Sequence, residues 1–256
     1  MLEGAREKPI HPKTKEKTGG TMKYTAVIFD VSNTLVEYHP NWAKMYGDKI
    51  RSLGMEVTEK AAREMNKAVN WAIGEQTLKE QKGAPCLAPE ETAMIKDRAA
   101  LSCVDFPREM EADYLQRMAR MPKVKQEMHV ISGVFETLDV LKEKYRLAIV
   151  SNHHVWLADR LRELGLYEYF APVVISEAVG VEKPDVRIME IALKELELPP
   201  ERCLYVGDHP LDVVCSKKAG MDCAWIAGDW GQVSEMGPYR EDYRIQDVTE
   251  LVGILC

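Results

Sequence analysis

The sequence lacks several features that are typical of secreted proteins, of membrane-spanning proteins and of proteins stabilised by zinc. No apolar run approaches the roughly 20 residues that span a bilayer, and the N-terminus lacks the apolar stretch of a signal peptide. None of the six cysteines forms a C-x-x-C pair. We therefore expect a cytoplasmic protein with no membrane partner and with buried free thiols; a zinc site or a disulfide framework is the less favoured alternative.

An excess of positive charge is also missing, since the formal net charge at pH 7 is −7. Proteins that bind nucleic acids rely on clustered Lys and Arg, so we expect no nucleic-acid partner. A local positive site can still bind a small anion. With 256 residues, 46% hydrophobic and 29% charged, the composition is typical of a globular protein with one large domain, or with a core domain that carries a smaller one.

Short apolar blocks that alternate with helical patterns dominate the chain after a polar segment at residues 1–21. That segment has no apolar periodicity, and we expect a disordered tail. Blocks typical of buried strands lie at 23–30, 146–151, 172–176, 203–207 and 223–227. Helical patterns lie at 132–144, 154–165, 184–198 and 210–220. This alternation predicts an α/β fold with a doubly wound parallel sheet, whose active site lies at the carboxyl ends of the strands.

The strand signal disappears between about residues 40 and 125, where apolar residues recur at helical spacing instead. The apolar residues form three stripes, each on one helical face: Trp42, Tyr46, Ile50 and Leu53; Met65, Val69 and Ile73; and Met110, Tyr114, Met118 and Met121. We interpret these stripes as the core of a helical bundle in preference to a cofactor site. The predicted organisation is an α/β core domain from 22–39 and 126–256, with a helical domain inserted at 40–125.

Two polar features follow predicted strands in the first half of the core. Asp30 ends the first strand, where an exposed carboxylate can act as a nucleophile towards phosphorus. Ser151 and Asn152 end a later strand, where a hydroxyl group and a helix start offer donors to a phosphate oxygen. Taken singly, a turn-capping aspartate and an N-cap serine are the simpler interpretations.

Two further features lie in the second half. Pro184 disfavours the helical conformation at Lys183, so that the ammonium group can be held at a fixed place; a solvated surface lysine is the alternative. Asp208 follows a strand and Asp212 comes four residues later, which lets two carboxylates face one point. Mg²⁺ commonly binds such carboxylates together with water and phosphate oxygens, although acidic residues at a helix start need no metal.

All four features in this order resemble the haloacid dehalogenase-like hydrolase superfamily, in its branch with a helical cap between the first and second motifs. The resemblance covers nearly everything after Met22. Its first part is carried by FDVSNTL and by YHPNWAKMYGDKI, and its second part by IVSNHH, GLYEYFAPVVISEAVGVEKPDVRIMEIAL and LYVGDHPLDVVCSKKAGMDCAWI. It implies a Rossmann-like core and a helical cap.

The resemblance also implies an activity and the residues that carry it. Asp30 would be the nucleophile that forms an aspartyl-phosphate, and Ser151, Asn152 and Lys183 would bind the phosphoryl group. The implied substrate is a small phosphorylated metabolite, bound by a monomer or a homodimer. This assignment agrees with the physics of phosphoryl transfer, in which positioning and charge neutralisation do most of the work.

A magnesium site follows from the same resemblance. Asp208 would hold Mg²⁺ together with Asp30, Asp212 would support the ion through water, and the backbone carbonyl of Ser32 would be the third protein ligand. Dehalogenases of the superfamily generally lack the acidic pair, so its presence favours a Mg²⁺-dependent phosphatase.

Ser32 departs from the family pattern, which usually has a second Asp as general acid and base at this position. A serine hydroxyl does not titrate near neutral pH, and the loss of a general acid-base commonly costs about 10²- to 10⁴-fold in rate. Three alternatives follow: a phosphatase for good leaving groups, a dehalogenase-like hydrolase of another bond, or a non-catalytic regulatory protein that binds phosphate and metal. His153, His154 and His209 are candidates to replace the missing acid.

Overall fold

The computed structural model describes residues 22–228 and 238–256. The predicted disordered tail at 1–21 lies outside these ranges. The strands are β1 (Ala26–Phe29), β2 (Val36–His39), β3 (Glu127–Val130), β4 (Arg146–Ser151), β5 (Val173–Ile175), β6 (Cys203–Gly207), β7 (Asp222–Ile226) and β8 (Tyr243–Ile245). The helices are α1 (Trp42–Arg51), α2 (Glu59–Gln81), α3 (Pro89–Leu101), α4 (Glu111–Ala119), α5 (Val134–Lys142), α6 (Leu157–Glu163), α7 (Ser176–Val179), α8 (Arg187–Leu196), α9 (Pro210–Lys218) and α10 (Leu251–Leu255).

A parallel sheet with the strand order β5-β4-β1-β6-β7-β8 forms the centre of the molecule. Each neighbouring pair is parallel, as the alternation of strand and helix patterns predicts. Along β1, Val27 and Phe29 join one hydrophobic cluster, and Ala26 and Ile28 join another on the opposite face. Since successive side chains of a strand point to opposite faces, a strand covered on both sides reads as a continuous apolar run.

Helices cover both faces of this sheet. The first cluster contains residues of α5, α6 and α10, and the second contains residues of α8 and α9. The doubly wound architecture predicted from the sequence is confirmed. β2 and β3 form a separate antiparallel ribbon, in which Tyr38 is paired with Met128. Neither this ribbon nor β8 was predicted.

Helices α1 to α4 follow one another along the chain between the two strands of the ribbon. They share a third hydrophobic cluster, which includes Tyr46, Ile50, Met65, Leu101 and Met118. The stripes predicted for a bundle core therefore lie together, except that Met110 is exposed. This cluster is separate from the two that cover the sheet.

The free cysteines of the described residues differ in burial. Cys203, Cys215 and Cys223 are buried free thiols, whereas Cys86 and Cys256 are exposed. Within residues 22–228 and 238–256, no helix combines the length and the apolar character of a membrane span.

Candidate active site

The predicted site residues meet at the carboxyl edge of the central sheet. Asp30 directly follows β1, and its backbone amide donates to the Val206 carbonyl of β6 at 2.8 Å. Ser151 ends β4, on the other side of β1, and Asp208 directly follows β6. Because β4, β1 and β6 are adjacent and parallel, their ends bring these residues to one edge.

Lys183 is the centre of the hydrogen-bond network at this edge. Its ammonium group donates to Asp30 Oδ1 at 2.8 Å, to Asp212 Oδ1 at 2.7 Å and to the Tyr205 hydroxyl oxygen at 2.9 Å. The side chain is only 5% exposed, which would by itself lower the pKa. The charges of Asp212 and Asp30 outweigh burial and raise the pKa of Lys183 above its ordinary value.

The backbone of Lys183 is fixed by Asn152. Asn152 Oδ1 accepts from the Lys183 amide at 2.7 Å, and Asn152 Nδ2 donates to the Lys183 carbonyl at 2.9 Å. Both polar atoms of the predicted substrate-binding amide therefore bind protein, which supports a positioning role for Asn152. Ser151 is buried, and among the described residues it is not one of those that line the cavity beside Asp30.

The start of α9 places the two acidic residues of the GDHPLD segment. Asp212 Oδ2 accepts from the His209 amide at 2.9 Å, while His209 Nδ1 accepts from the Leu211 amide at 3.1 Å. This reciprocal capping satisfies amides at the first turn. A Cβ atom at Gly207 would overlap the Asp212 carboxylate, so the absence of a side chain there permits the close approach of Asp212.

Three carboxylates lie close enough to share one cation. One oxygen from each of Asp30, Asp208 and Asp212 lies within 4.8 Å of the others, and all three residues are buried. Burial raises the pKa of Asp208 well above its ordinary value, and the charges of Asp212 and Asp30 raise it further. Lys183 balances one of these three acids only. The hard oxygen donors and the surplus of negative charge fit Mg²⁺.

A cavity of about 160 Å³ opens above these carboxylates. Ser32 and Asn33 are among its lining residues, and Asn33 Nδ2 donates to Asp208 Oδ2 at 3.2 Å. Asn33 has φ 53°, a left-handed conformation that asparagine tolerates better than most residues. Helix α2 also lines the cavity, with Asn70, Ile73, Gly74 and Thr77.

The three histidines predicted as replacement acids have different surroundings. His209 is half-buried, with Nε2 3.4 Å from the Asn70 carbonyl oxygen of α2, and desolvation lowers its pKa to about 4. His154 is exposed and lies 3.4 Å from a Glu177 carboxylate oxygen. His153 is half-buried and lines a second, larger cavity of about 580 Å³ next to the first.

Several residues of the site were not identified from the sequence. Tyr205 accepts from Lys183 and donates to the Val150 carbonyl at 2.9 Å, yet its position within the apolar block of β6 indicated only a core side chain. Trp225 Nε1 donates to the Asp208 carbonyl at 2.7 Å. No local signal distinguishes these two residues from other aromatic core residues.

Comparison with known proteins identifies the family. A family model described as haloacid dehalogenase-like hydrolase matches residues 27–226. The chain is 32% identical over 126 residues to pyrophosphatase PpaX of Bacillus velezensis, with 47% of this chain and 57% of PpaX covered. It is 31% identical to haloacid dehalogenase-like hydrolase domain-containing protein 3 of Mus musculus, with 79% of this chain and 81% of that protein covered.

A solved structure supports the fold. The putative HAD-hydrolase YfnB from Bacillus subtilis matches with a TM-score of 0.60 at 21% identity, covering 91% of this chain and 99% of YfnB. The chain spans only about half the length of several of the phosphatases that it matches. The family model, in contrast, extends from β1 to the end of β7 and so includes all the site residues described above. The chain belongs to the haloacid dehalogenase-like hydrolase family.

Proposed function

We propose that this hydrolase is a Mg²⁺-dependent phosphatase that acts through an aspartyl-phosphate intermediate on a small phosphorylated metabolite. The observation that carries the proposal is the convergence of Asp30, Lys183, Asp208 and Asp212 at one cavity. The similarity to a protein named pyrophosphatase supports phosphate chemistry. The retained acidic residues favour this function over metal-free dehalogenation and over a purely regulatory role.

In the proposed reaction, Asp30 is the nucleophile and Lys183 supplies a positive charge that assists it. The carboxylate of Asp30 attacks phosphorus, the bond from phosphorus to the leaving oxygen breaks, and water later hydrolyses the aspartyl-phosphate. Lys183 holds Asp30 Oδ1 at 2.8 Å and places a positive charge beside the oxygens of the phosphoryl group. Positioning and charge neutralisation of this kind are the main contributions of proteins to phosphoryl transfer.

Mg²⁺ would be held by Asp30, Asp208 and the Ser32 carbonyl, with Asp212 supporting it through water. When bound, the ion neutralises charge on the phosphoryl oxygens. Both carboxylate oxygens of Asp212 already have partners in the protein. Lys183 donates to Oδ1 at 2.7 Å, and the His209 amide donates to Oδ2. These two contacts support an indirect role for Asp212 in metal binding.

We also propose that the segment 40–125 forms a cap that selects the substrate. Four residues of α2 line the same cavity as the carboxylates of Asp30, Asp208 and Asp212, and none of the four is charged. Closure of such a cover excludes water and strengthens the electrostatic interactions inside. Ser151 remains our candidate for a hydroxyl donor to the phosphoryl group, at the edge that it shares with Asp30.

The test is phosphate release from esters graded by the pKa of the leaving group, with and without Mg²⁺. We expect release to require Mg²⁺ and to be abolished by Asp30→Asn. Ser32→Asp restores a carboxylic acid next to the substrate, so it should raise release from alkyl esters more than from aryl esters. Asp159→Asn, which changes a carboxylate on α6 that is 82% exposed, is the matched control and should change nothing.

Two results would contradict the proposal. Release that persists in EDTA would exclude the magnesium site, and release that survives Asp30→Asn would exclude the nucleophile. Metal-independent turnover of a 2-haloacid in place of phosphate esters would establish the dehalogenase-like alternative.

A further inference from the structure

A chain of hydrogen bonds leads away from Ser32, the residue at the position of the missing acid. Ser32 Oγ lies 3.2 Å from the hydroxyl oxygen of Tyr38, and that oxygen lies 3.2 Å from His153 Nε2. Ser32 lines the cavity that contains Asp30, whereas His153 lines the larger neighbouring cavity. The three side chains therefore connect the catalytic cavity with a second cavity.

Backbone contacts hold each of the three residues of this hydrogen-bonded chain in place. Ser32 belongs to the tight turn after β1 and forms a bridge with Val36. Tyr38 lies in β2, where pairing with β3 fixes its direction. His153 follows β4, and its backbone amide and carbonyl both contact Ser176 Oγ, at 3.0 and 3.3 Å. The alignment of the three side chains therefore depends on the turn after β1, on strand β2 and on the segment that follows β4.

We propose that Ser32, Tyr38 and His153 form a proton relay, in which His153 supplies and recovers the proton that the missing carboxylic acid would otherwise exchange. This inference rests on the phosphatase function proposed above. Ser32 is the member that contacts the reacting oxygen. Tyr38 transmits the proton, and His153 stores it.

The proton balance of the first step is complete. As the bond from phosphorus to the leaving oxygen breaks, that oxygen takes the hydroxyl proton of Ser32. Ser32 Oγ takes the hydroxyl proton of Tyr38, and Tyr38 takes the Nε2 proton of the His153 imidazolium. The products are a protonated leaving group, the aspartyl-phosphate and a neutral His153.

The second step restores the first state. A water molecule attacks the phosphorus of the aspartyl-phosphate and releases one proton to Ser32 Oγ. Protons then shift from Ser32 to Tyr38 and from Tyr38 to His153 Nε2. The bond from phosphorus to Asp30 breaks, phosphate leaves, and His153 is again an imidazolium.

The surroundings of His153 suit a group that changes its protonation state. Nδ1 lies 2.9 Å from the amide nitrogen of His154 and 3.3 Å from the carbonyl oxygen of the same residue. In the tautomer with a proton on Nδ1, the His154 carbonyl accepts that proton and Nε2 exchanges a proton with Tyr38; in the other tautomer, Nδ1 accepts from the His154 amide. The ring also packs edge-on against Trp156, with 4.5 Å between the centroids.

The charges around His153 set the pH range in which the relay changes state. Burial lowers the pKa of His153 below its ordinary value and His154 adds to this effect, whereas Asp30 and Glu177 oppose it. Glu182 also lines the same cavity, and Tyr38 faces the ring through its hydroxyl group. At neutral pH the imidazole is mainly neutral, and it is protonated as the pH falls below that lowered pKa.

The two steps therefore respond to pH in opposite ways. Protonation of a poor leaving group needs the imidazolium, so the first step should become slower as the pH rises through the pKa of His153. Activation of water needs the neutral ring, so the second step should become faster over the same range. An ester with a good leaving group needs no proton in the first step. Its hydrolysis should therefore show only the increase in the rate of the second step with rising pH.

The test compares the first turnover on an alkyl phosphate with that on an aryl phosphate, with enzyme in excess and Mg²⁺ present. Tyr38→Phe interrupts the relay while keeping the ring, and His153→Gln removes the proton store. Each should slow release of the alcohol by roughly 10²-fold and leave release of the phenol within a few-fold. His129→Gln is the matched control, because this exposed imidazole lies on the same ribbon.

Two further arms exclude a merely structural role. The decline of the alkyl rate with rising pH should disappear in Tyr38→Phe. Adding Ser32→Asp to Tyr38→Phe should recover the alkyl rate, because the new carboxylic acid protonates the leaving group directly. A thermal melt of each variant identifies any that fails to fold.

The outcomes separate the relay from the function on which it rests. If wild type releases phosphate from neither ester, both proposals fail. If wild type is active but the variants slow both esters equally, or neither, the relay is wrong and the phosphatase function stands. Failure of the double variant to recover the alkyl rate would also overturn the relay.

Discussion

Two regions of the molecule each pair a lysine with a buried aspartate, and they do so differently. At the edge of the sheet, Lys183 lies 2.7 Å from Asp212, with side chains that are 5% and 0% exposed. Between α1 and α3, Lys49 lies 2.6 Å from Asp97, with side chains that are 24% and 3% exposed. Lys183 is enclosed by protein, whereas Lys49 keeps some contact with solvent.

The balance of charge distinguishes the two pairs. Among the residues that the structure describes, Lys49 forms an ion pair with a single carboxylate, so that the pair between the helices is neutral when both groups are charged. Lys183 shares its site with Asp30, Asp208 and Asp212, so that ionisation of all three carboxylates would leave two negative charges without a partner. A surplus of buried charge is costly and is characteristic of sites that bind ions or perform chemistry. This contrast supports our proposal that the pair at the sheet edge is functional, and we propose a structural role for the helical pair.

The largest expected effect is that of Lys183→Met. This substitution leaves buried carboxylates without their cation, a change that typically costs about 3–5 kcal/mol of the free energy of unfolding. It should also abolish phosphate release. Lys49→Met should cost less, because it removes a lysine that is already 24% exposed and leaves one carboxylate without its cation. Urea unfolding without Mg²⁺ measures both free energies of unfolding.

Magnesium sharpens this contrast. Added Mg²⁺ should stabilise the wild type and recover part of the stability that Lys183→Met loses, since it neutralises the same carboxylates. Mg²⁺ should stabilise Lys49→Met as much as it stabilises the wild type. The difference between their free energies of unfolding should therefore stay the same. Equal losses for the two lysine variants, with no effect of Mg²⁺ on either, would contradict the functional assignment of the sheet-edge pair.

A smaller effect is expected from Gly207→Ala, which tests how tightly the sheet-edge site is packed. The added methyl group would overlap the Asp212 carboxylate, and overpacking of this kind costs about 1–3 kcal/mol. We expect a lower urea midpoint together with reduced Mg²⁺-dependent activity.

Gly253→Ala is the matched control for that substitution. Gly253 lies within α10, and a Cβ atom there meets nothing within 4 Å. Alanine should stabilise the helix by roughly 0.5–1 kcal/mol and leave activity unchanged. A Gly207→Ala protein as stable and as active as the wild type would show that Asp212 can shift without consequence.

The sequence predicts the inner strands of the sheet well because strands buried on both faces leave a local signal. The apolar blocks at 146–151 and 203–207 correspond to β4 and β6. The ribbon strand β2 escapes prediction, because VEYH is short and mixes polar with apolar residues. Its partner β3 lies almost 90 residues further along the chain, and no local pattern predicts such a pairing.

The same distinction applies to the site. The order of motifs predicts that Asp30, Lys183 and Asp208 lie near one another, because parallel strands end at one edge. It does not predict that the Asn152 side chain binds the backbone of Lys183, since that contact depends on how a loop 31 residues away folds back. Nor does it predict that Tyr38 lies between Ser32 and His153, because this placement depends on the ribbon.

The smallest expected effect concerns the pH dependence of the helical pair. Burial raises the pKa of Asp97, although Lys49 opposes the shift. A carboxyl group with a raised pKa in the folded state contributes stability at low pH and loses it as the pH rises through that pKa. The free energy of unfolding of the wild type, minus that of Asp97→Asn, should therefore fall as the pH is raised from about 4. Asp48→Asn should show the opposite sign, because Lys44 lowers the pKa of Asp48 and its contribution is lost as the pH falls. Urea unfolding at several pH values measures both differences, and a rising difference for Asp97 would show that its ion pair outweighs its burial.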